Sequence, residues 1–239
     1  MSRLFLIRHG QASFLEQNYD KLSALGEKQS RLLGEYWTRR RVMFDQVFSG
    51  PRIRQMETAR IIGDVYKKAG LPWPEAQTMN EFDEYHGEGV MEVSLPALAE
   101  NDPHVLELQQ AFLHATDEQE KHRAFQRLFE VVIGKWVGGE IQVPDIESWP
   151  MFCERVQSGL SSICNGNSSG QNVAVFSSGG PIGVTMQRAL TLSPENTLKV
   201  AWMARNCSYS EFLFSRDRFT LSSFNAFPHL DGPELLTYR

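Results

Sequence analysis

Apolar residues fill Leu4–Ile7 without a break and give way at once to Arg8, His9 and Gly10. A short continuous apolar run reads as a strand buried on both faces. Val47-Phe48 closes a second strand, and Val173–Phe176 is a third. The stretches between follow a helical period. From Ala24 to about Arg41 the apolar positions Leu32, Leu33, Tyr36 and Trp37 recur at helical spacing. From about Arg52 to Ala69 the residues Ala59, Ile62, Tyr66 and Ala69 share one side, and Gly70 stands where a C-terminal cap belongs. The third strand runs through Ser177-Ser178-Gly179-Gly180-Pro181 into a helix near Ile182–Leu190, with Pro181 suited to the first turn. Ser210–Ser215 and Phe219–Phe224 predict two late strands, antiparallel if joined at Arg216-Asp217, and the tail from Pro228 reads as irregular.

Strands alternating with helices predict an α/β fold with a mostly parallel sheet and helices on both faces. Val90 to Pro150 breaks the pattern: two helical stretches, Leu95–His114 and Asp117–Val137, occur with no convincing strand. The chain is therefore expected to be a single domain over 1–239, with a helical insertion at about 90–147 lying over one edge of the site.

Composition narrows the class. The chain has 239 residues with 41% hydrophobic content, ordinary for a globular protein. No apolar run approaches a membrane span. Three cysteines without a CxxC pair argue against a disulfide framework, so a cytoplasmic location is expected. A net charge of −5 disfavours nucleic acid and anionic membrane as partners. Arg39-Arg40-Arg41 is better explained as the basic last turn of a helix.

In an open α/β sheet the ligand crevice lies at the carboxyl ends of the strands. Three strand ends here carry polar residues and glycines: Arg8-His9-Gly10, Ser49-Gly50-Pro51-Arg52 and Ser177 to Gly180. A neutral imidazole at His9 can attack a phosphoryl group, and Arg8 can neutralise its oxygens. Taken alone, the Arg-His pair is a weak signal and is better explained by a surface or hydrogen-bonded structural histidine. Arg54 adds an arginine at a helix start, where anions bind readily.

With Thr58-Ala59 one turn later, and with Leu22-Ser23-Ala24-Leu25-Gly26-Glu27-Lys28-Gln29 between these elements, the chain resembles the histidine phosphatase superfamily, which includes cofactor-dependent phosphoglycerate mutases. The resemblance covers roughly Leu4–Glu84 and Ser148–Glu211. It implies a three-layer α/β/α sandwich, a phosphohistidine intermediate on His9, and Arg8 and Arg54 as clamps on the phosphoryl oxygens. It places Gly10, Gln11, Ser23, Ser178 and Gly179 around the phosphate and implies neither metal nor cofactor. Within Met79-Asn80-Glu81 it makes Glu81 the proton donor, with Asp83 and Glu84 as rivals. The implied ligand is a phosphorylated small molecule.

Several positions depart from the family pattern. Its second histidine, in a Ser-His-Gly-Gly turn, is replaced by Ser178, which offers a neutral donor in place of a cation. His86 and His229 are the sequence candidates for a substitute base. Leu15 falls where many relatives have a phosphate-binding asparagine, with Asn18 three residues on, and Gln11 stands where many have glutamate. Gly89–Pro150 holds 11 of the 29 acidic and 4 of the 24 basic residues. An acidic segment suits poorly a mutase gripping several anionic groups, so hydrolysis is favoured. Phosphate binding without turnover is the alternative. Trp136, Trp149 and Phe152 read as core residues.

Overall fold

The computed structural model describes residues 1–13, 20–166 and 169–238. In chain order the elements are β1 (Ser2–Arg8), α1 (Ala24–Arg39), β2 (Gln46–Ser49), α2 (Ile53–Lys68), β3 (Ala76–Thr78), α3 (Gly87–Asn101), α4 (Pro103–His114), α5 (Glu118–Val137), α6 (Trp149–Gly166), β4 (Asn172–Ser177), α7 (Gly179–Leu190), α8 (Pro194–Met203), β5 (Tyr209–Ser215) and β6 (Arg218–Ala226). Two compact units result: Met1–Glu84 with Arg155–Arg239, and Tyr85–Glu154.

The first unit holds one sheet of order β3-β2-β4-β1-β5-β6. β3, β2, β4 and β1 pair in parallel, while β5 runs antiparallel to both β1 and β6. This is the three-layer α/β/α sandwich with a mostly parallel sheet. The central strands are covered on both faces, which is why they read as unbroken apolar runs. On one face Phe5, Ile7, Ala174 and Phe176 pack with Leu33 and Trp37 of α1 and with Ala59, Ile62 and Tyr66 of α2. Edge-to-face aromatic pairs tighten this layer, with Phe5–Phe44 at 5.2 Å and Trp37–Phe44 at 5.1 Å between centroids. The alternate residues Leu4, Leu6, Val173 and Val175, all fully buried, face the other way. Each such side chain contributes roughly 1.5–3 kcal/mol.

Differences from the sequence expectation have local causes. β3 is three exposed residues, too short to show a period, and it is held by pairing with β2. α6 and α8 were not anticipated. The late strands form the expected antiparallel pair. The tail is irregular apart from one 3₁₀ turn at Pro233–Leu235.

The second unit is helical throughout its regular structure. The stretch read as one helix over Leu95–His114 is two, because Asp102 caps α4 through the amides of His104 and Val105 while Pro103 opens it. α3 begins earlier than expected, at Gly87. Asp117 caps α5, which buries Leu128, Phe129, Val132, Ile133 and Trp136. Trp136, Trp149 and Phe152 are core residues, at 5.8 and 5.5 Å between successive ring centroids. Among the described residues no helix is long and apolar enough to cross a membrane.

Candidate active site

β2, β4 and β1 are neighbours running in one direction, so Ser49, Ser177 and Arg8 end the sheet on the same side. His9 follows β1 and is buried, and its amide donates to the Ser177 carbonyl at 2.9 Å. Its own carbonyl accepts from Asn206 Nδ2 and from the Cys207 amide, both at 3.2 Å. The backbone around the imidazole is thus pinned from the end of β4 and from the turn before β5. Burial pushes the Cys207 thiol up to about 12, so it is an inert support.

Hydrogen bonding fixes the imidazole tautomer. Nδ1 lies 2.6 Å from the Gly10 carbonyl, which can only accept, so Nδ1 carries the proton. Nε2 therefore presents a lone pair, and Arg54 Nε donates to it at 3.1 Å. Burial first, then the charges of Arg54 and Arg8, hold the His9 pKa well below the usual imidazole range, with the Gly10 carbonyl opposing. Arg8 is itself buried, and its Nη1 donates to the Ala204 carbonyl.

Arg54 comes from the first turn of α2. Its Nη1 donates to Asp20 at 2.8 Å, and the other Asp20 oxygen accepts from the Ile53 amide at 2.8 Å. Asp20 thus sits where an anion would bind, on the amide end of α2 and on Arg54. Thr58, one turn on, accepts from the Gly10 amide at 3.0 Å. Gly10 earns its place by proximity to α1: a Cβ there would lie 2.5 Å from the Gly26 carbonyl oxygen, and one at Gly26 would lie 2.1 Å from that of Gln11. Backbone meets backbone here, so neither can yield.

Ser23 caps α1 through the Gly26 amide and donates to Gln11 Oε1 at 2.8 Å. Gln29, wholly buried, accepts from the Gln11 amide and donates to Leu235 and Thr237 in the tail. The Leu22–Gln29 motif thus ties the turn after β1 to α1 and to the C-terminal segment.

At the end of β4, Ser178 is buried beside Gln55, whose Nε2 donates to Ser178 Oγ at 2.8 Å. Gly179 opens α7, and the Gly180 amide donates to both carboxylate oxygens of Glu84 at 3.1 Å. Glu84 is therefore the carboxylate brought to this strand end. Glu81 packs its Cβ against Gly159 of α6, and its carboxylate makes no hydrogen bond among the described residues. Asp83 is paired with Arg52 at 2.5 Å.

His86 precedes α3 in the second unit. His229 is buried near Tyr36, 6.2 Å between ring centroids, and burial pushes its pKa down to about 4 against a weaker opposing influence of the Cys207 backbone. Leu15 and Asn18 lie outside the described residues. No group of three or more His, Cys, Asp or Glu suited to a metal occurs among the described residues.

Sequence reasoning missed Asp20, Gln55, Asn206 and Cys207. No periodicity marks them, and only Gln55 lies between residues singled out in the sequence, Arg54 and Thr58.

These features match a known class. The family model for the histidine phosphatase superfamily, branch 1, matches residues 4–138 and 76–226. The chain belongs to this superfamily. Among solved structures it resembles a phosphoserine phosphatase mutant from Entamoeba histolytica in complex with phosphoserine, at 20% identity and TM-score 0.63, covering 96% of this chain and 100% of that one. A putative alpha-ribazole-5'-P phosphatase from Escherichia coli is similar at 19% identity and TM-score 0.62, covering 95% and 98%. A phosphoglycerate mutase from Bacillus anthracis is similar at 16% and 0.63, covering 95% and 94%. The fold is thus shared between phosphatases and a mutase. A search of curated proteins finds no match.

Proposed function

We propose that the protein hydrolyses phosphomonoesters of small molecules through a phosphohistidine on His9. One observation supports this above the rest: a buried imidazole, neutral and held in one tautomer, presents Nε2 beside Arg54 at a parallel strand end. That is what an in-line nucleophile toward phosphorus requires.

In this reading substrate draws Arg54 from Nε2 onto a phosphoryl oxygen, and Arg8 takes another. Nε2 attacks phosphorus as the ester P–O bond breaks, and the leaving oxygen takes a proton from Glu81. Water then attacks the phosphohistidine, giving up its proton to Glu81, and inorganic phosphate leaves with His9 neutral again. Positioning and charge neutralisation supply most of the acceleration. Gly10, Ser178 and Gly179 line the phosphate position, while Gln11 and Ser23 form its rim. The helical segment at about 90–147 is an insertion within a single domain.

A second reading is a phosphate-ligand binding module without turnover. Ser178 favours it, since serine brings no charge where the family pattern has histidine. The deciding experiment is turnover of a phosphomonoester panel by wild type and by His9→Ala. Wild type should turn over and form an acid-labile phosphoenzyme, and folded His9→Ala should do neither. Anion binding by wild type without turnover or phosphoenzyme establishes the second reading.

A further inference from the structure

Two consecutive residues of α2 reach the ends of two neighbouring strands. Arg54 meets His9 after β1, and Gln55 meets Ser178 after β4. The first contact belongs to the proposed chemistry, and the second has no role in it so far.

The orientation of the Gln55 amide is fixed by two backbone groups. Its Oε1 accepts from the Arg52 amide at 3.1 Å, and its Nε2 faces the Phe82 carbonyl at 3.3 Å. Nε2 is therefore the end that meets Ser178, and an amide nitrogen can only donate. The Ser178 oxygen is thus used as an acceptor, and its own proton finds no acceptor among the described residues. Gln55 is wholly buried and Ser178 is 1% exposed, so the pair is held away from bulk solvent.

Ser178 occupies the N-cap position of α7, where a serine oxygen ordinarily accepts from an amide of the first turn. It makes no such bond here. The Gly180 amide is taken by Glu84 instead. The hydroxyl is withdrawn from capping and held by a side chain from another element.

We propose that Gln55 is a positioning residue: by donating to Ser178 Oγ it turns the Ser178 hydroxyl proton toward the phosphoryl group. The inference rests on the proposed phosphatase reading. It gives the serine that replaces a family histidine a defined job as a neutral donor, and assigns its orientation to Gln55.

The test is a double-mutant cycle of Gln55→Met and Ser178→Ala, read in kcat and KM with p-nitrophenyl phosphate and in vanadate inhibition. Each single change should lower kcat/KM about fivefold, the worth of one neutral hydrogen bond, and weaken vanadate by a similar factor. The double variant should be no worse than either single one. Losses that multiply, or a Gln55→Met variant with wild-type kcat and only a lower Tm, overturn the inference alone. If Gln55→Met does not fold, Gln55→Glu keeps the acceptor for Arg52 but takes the Ser178 proton. It should lower kcat, and wild-type kcat in that variant is equally fatal. Wild type that neither turns over nor binds vanadate overturns the phosphatase reading and this inference with it.

Discussion

Arg54 donates its Nε–H to His9 Nε2 at 3.1 Å, so the atom with the free lone pair lies against a fixed positive charge. That charge and burial both keep His9 unprotonated below its ordinary range. The acidic limb of kcat/KM should therefore lie well below pH 6.5 in wild type. In Arg54→Met the charge is gone while most of the burial remains, so the limb should move up toward neutrality. Activity should also fall at every pH if Arg54 clamps a phosphoryl oxygen as proposed. A pH-rate profile for both proteins checks this, and coincident limbs would remove Arg54 as a cause of the shift.

His229 should make the fold acid-sensitive. Its folded pKa is about 4 against 6.5 when unfolded, so between these values the unfolded chain binds the proton more readily. The associated stability is complete above about pH 6.5 and is lost as pH falls toward 4. The loss between pH 6.5 and 5 is about 2 kcal/mol, at about 1.4 kcal/mol per unit. His229→Phe should remove that part of the acid sensitivity, which denaturant melts at pH 7.5 and 5 will show.

Glu81 and Glu84 can be separated by the leaving group. A proton donor matters for an alkyl phosphate and little for p-nitrophenyl phosphate, whose leaving group is stable as an anion. Glu81→Gln should cut turnover of the alkyl ester by roughly 10²–10⁴ and spare the nitrophenyl ester. Glu84→Gln should affect both esters alike, because its carboxylate sits on the Gly180 amide at the end of β4, where the proposed reading puts the phosphate. The opposite pattern transfers the acid role to Glu84.

Ser178→His would put a cation at the end of β4, but Gln55 occupies the space at 2.8 Å and residue 178 is buried. The single variant should lose stability by about 1–3 kcal/mol from overpacking and hydrolyse more slowly than wild type. Ser178→His combined with Gln55→Ala should recover both. Thermal melts and kcat/KM of the two variants decide it, and a faster single variant would show that Gln55 gives way.

The sequence by itself determined what repeats or stands in a fixed local order. Leu4–Ile7 and Val173–Phe176 read as buried strands because both faces are covered, and α1 and α2 followed from helical spacing. Arg8, His9 and Arg54 were legible because they sit directly after a strand or at a helix start, and chain order alone puts such residues at a sheet's carboxyl edge. The break between α3 and α4 was written in Asp102-Pro103 but hidden by apolar spacing that continues across it. Only the tertiary structure decided the rest. The tautomer of His9 depends on the Gly10 carbonyl and on Arg54, 45 residues away. That Glu84 and not Glu81 reaches the Gly180 amide depends on side-chain directions in a short irregular segment with no period to read. Gln55 and Ser178, 123 residues apart, meet because β4 inserts between β2 and β1 and brings its end beneath α2. Hydrogen bonds across that distance leave no local pattern, since their partners are set by the order of strands in the sheet.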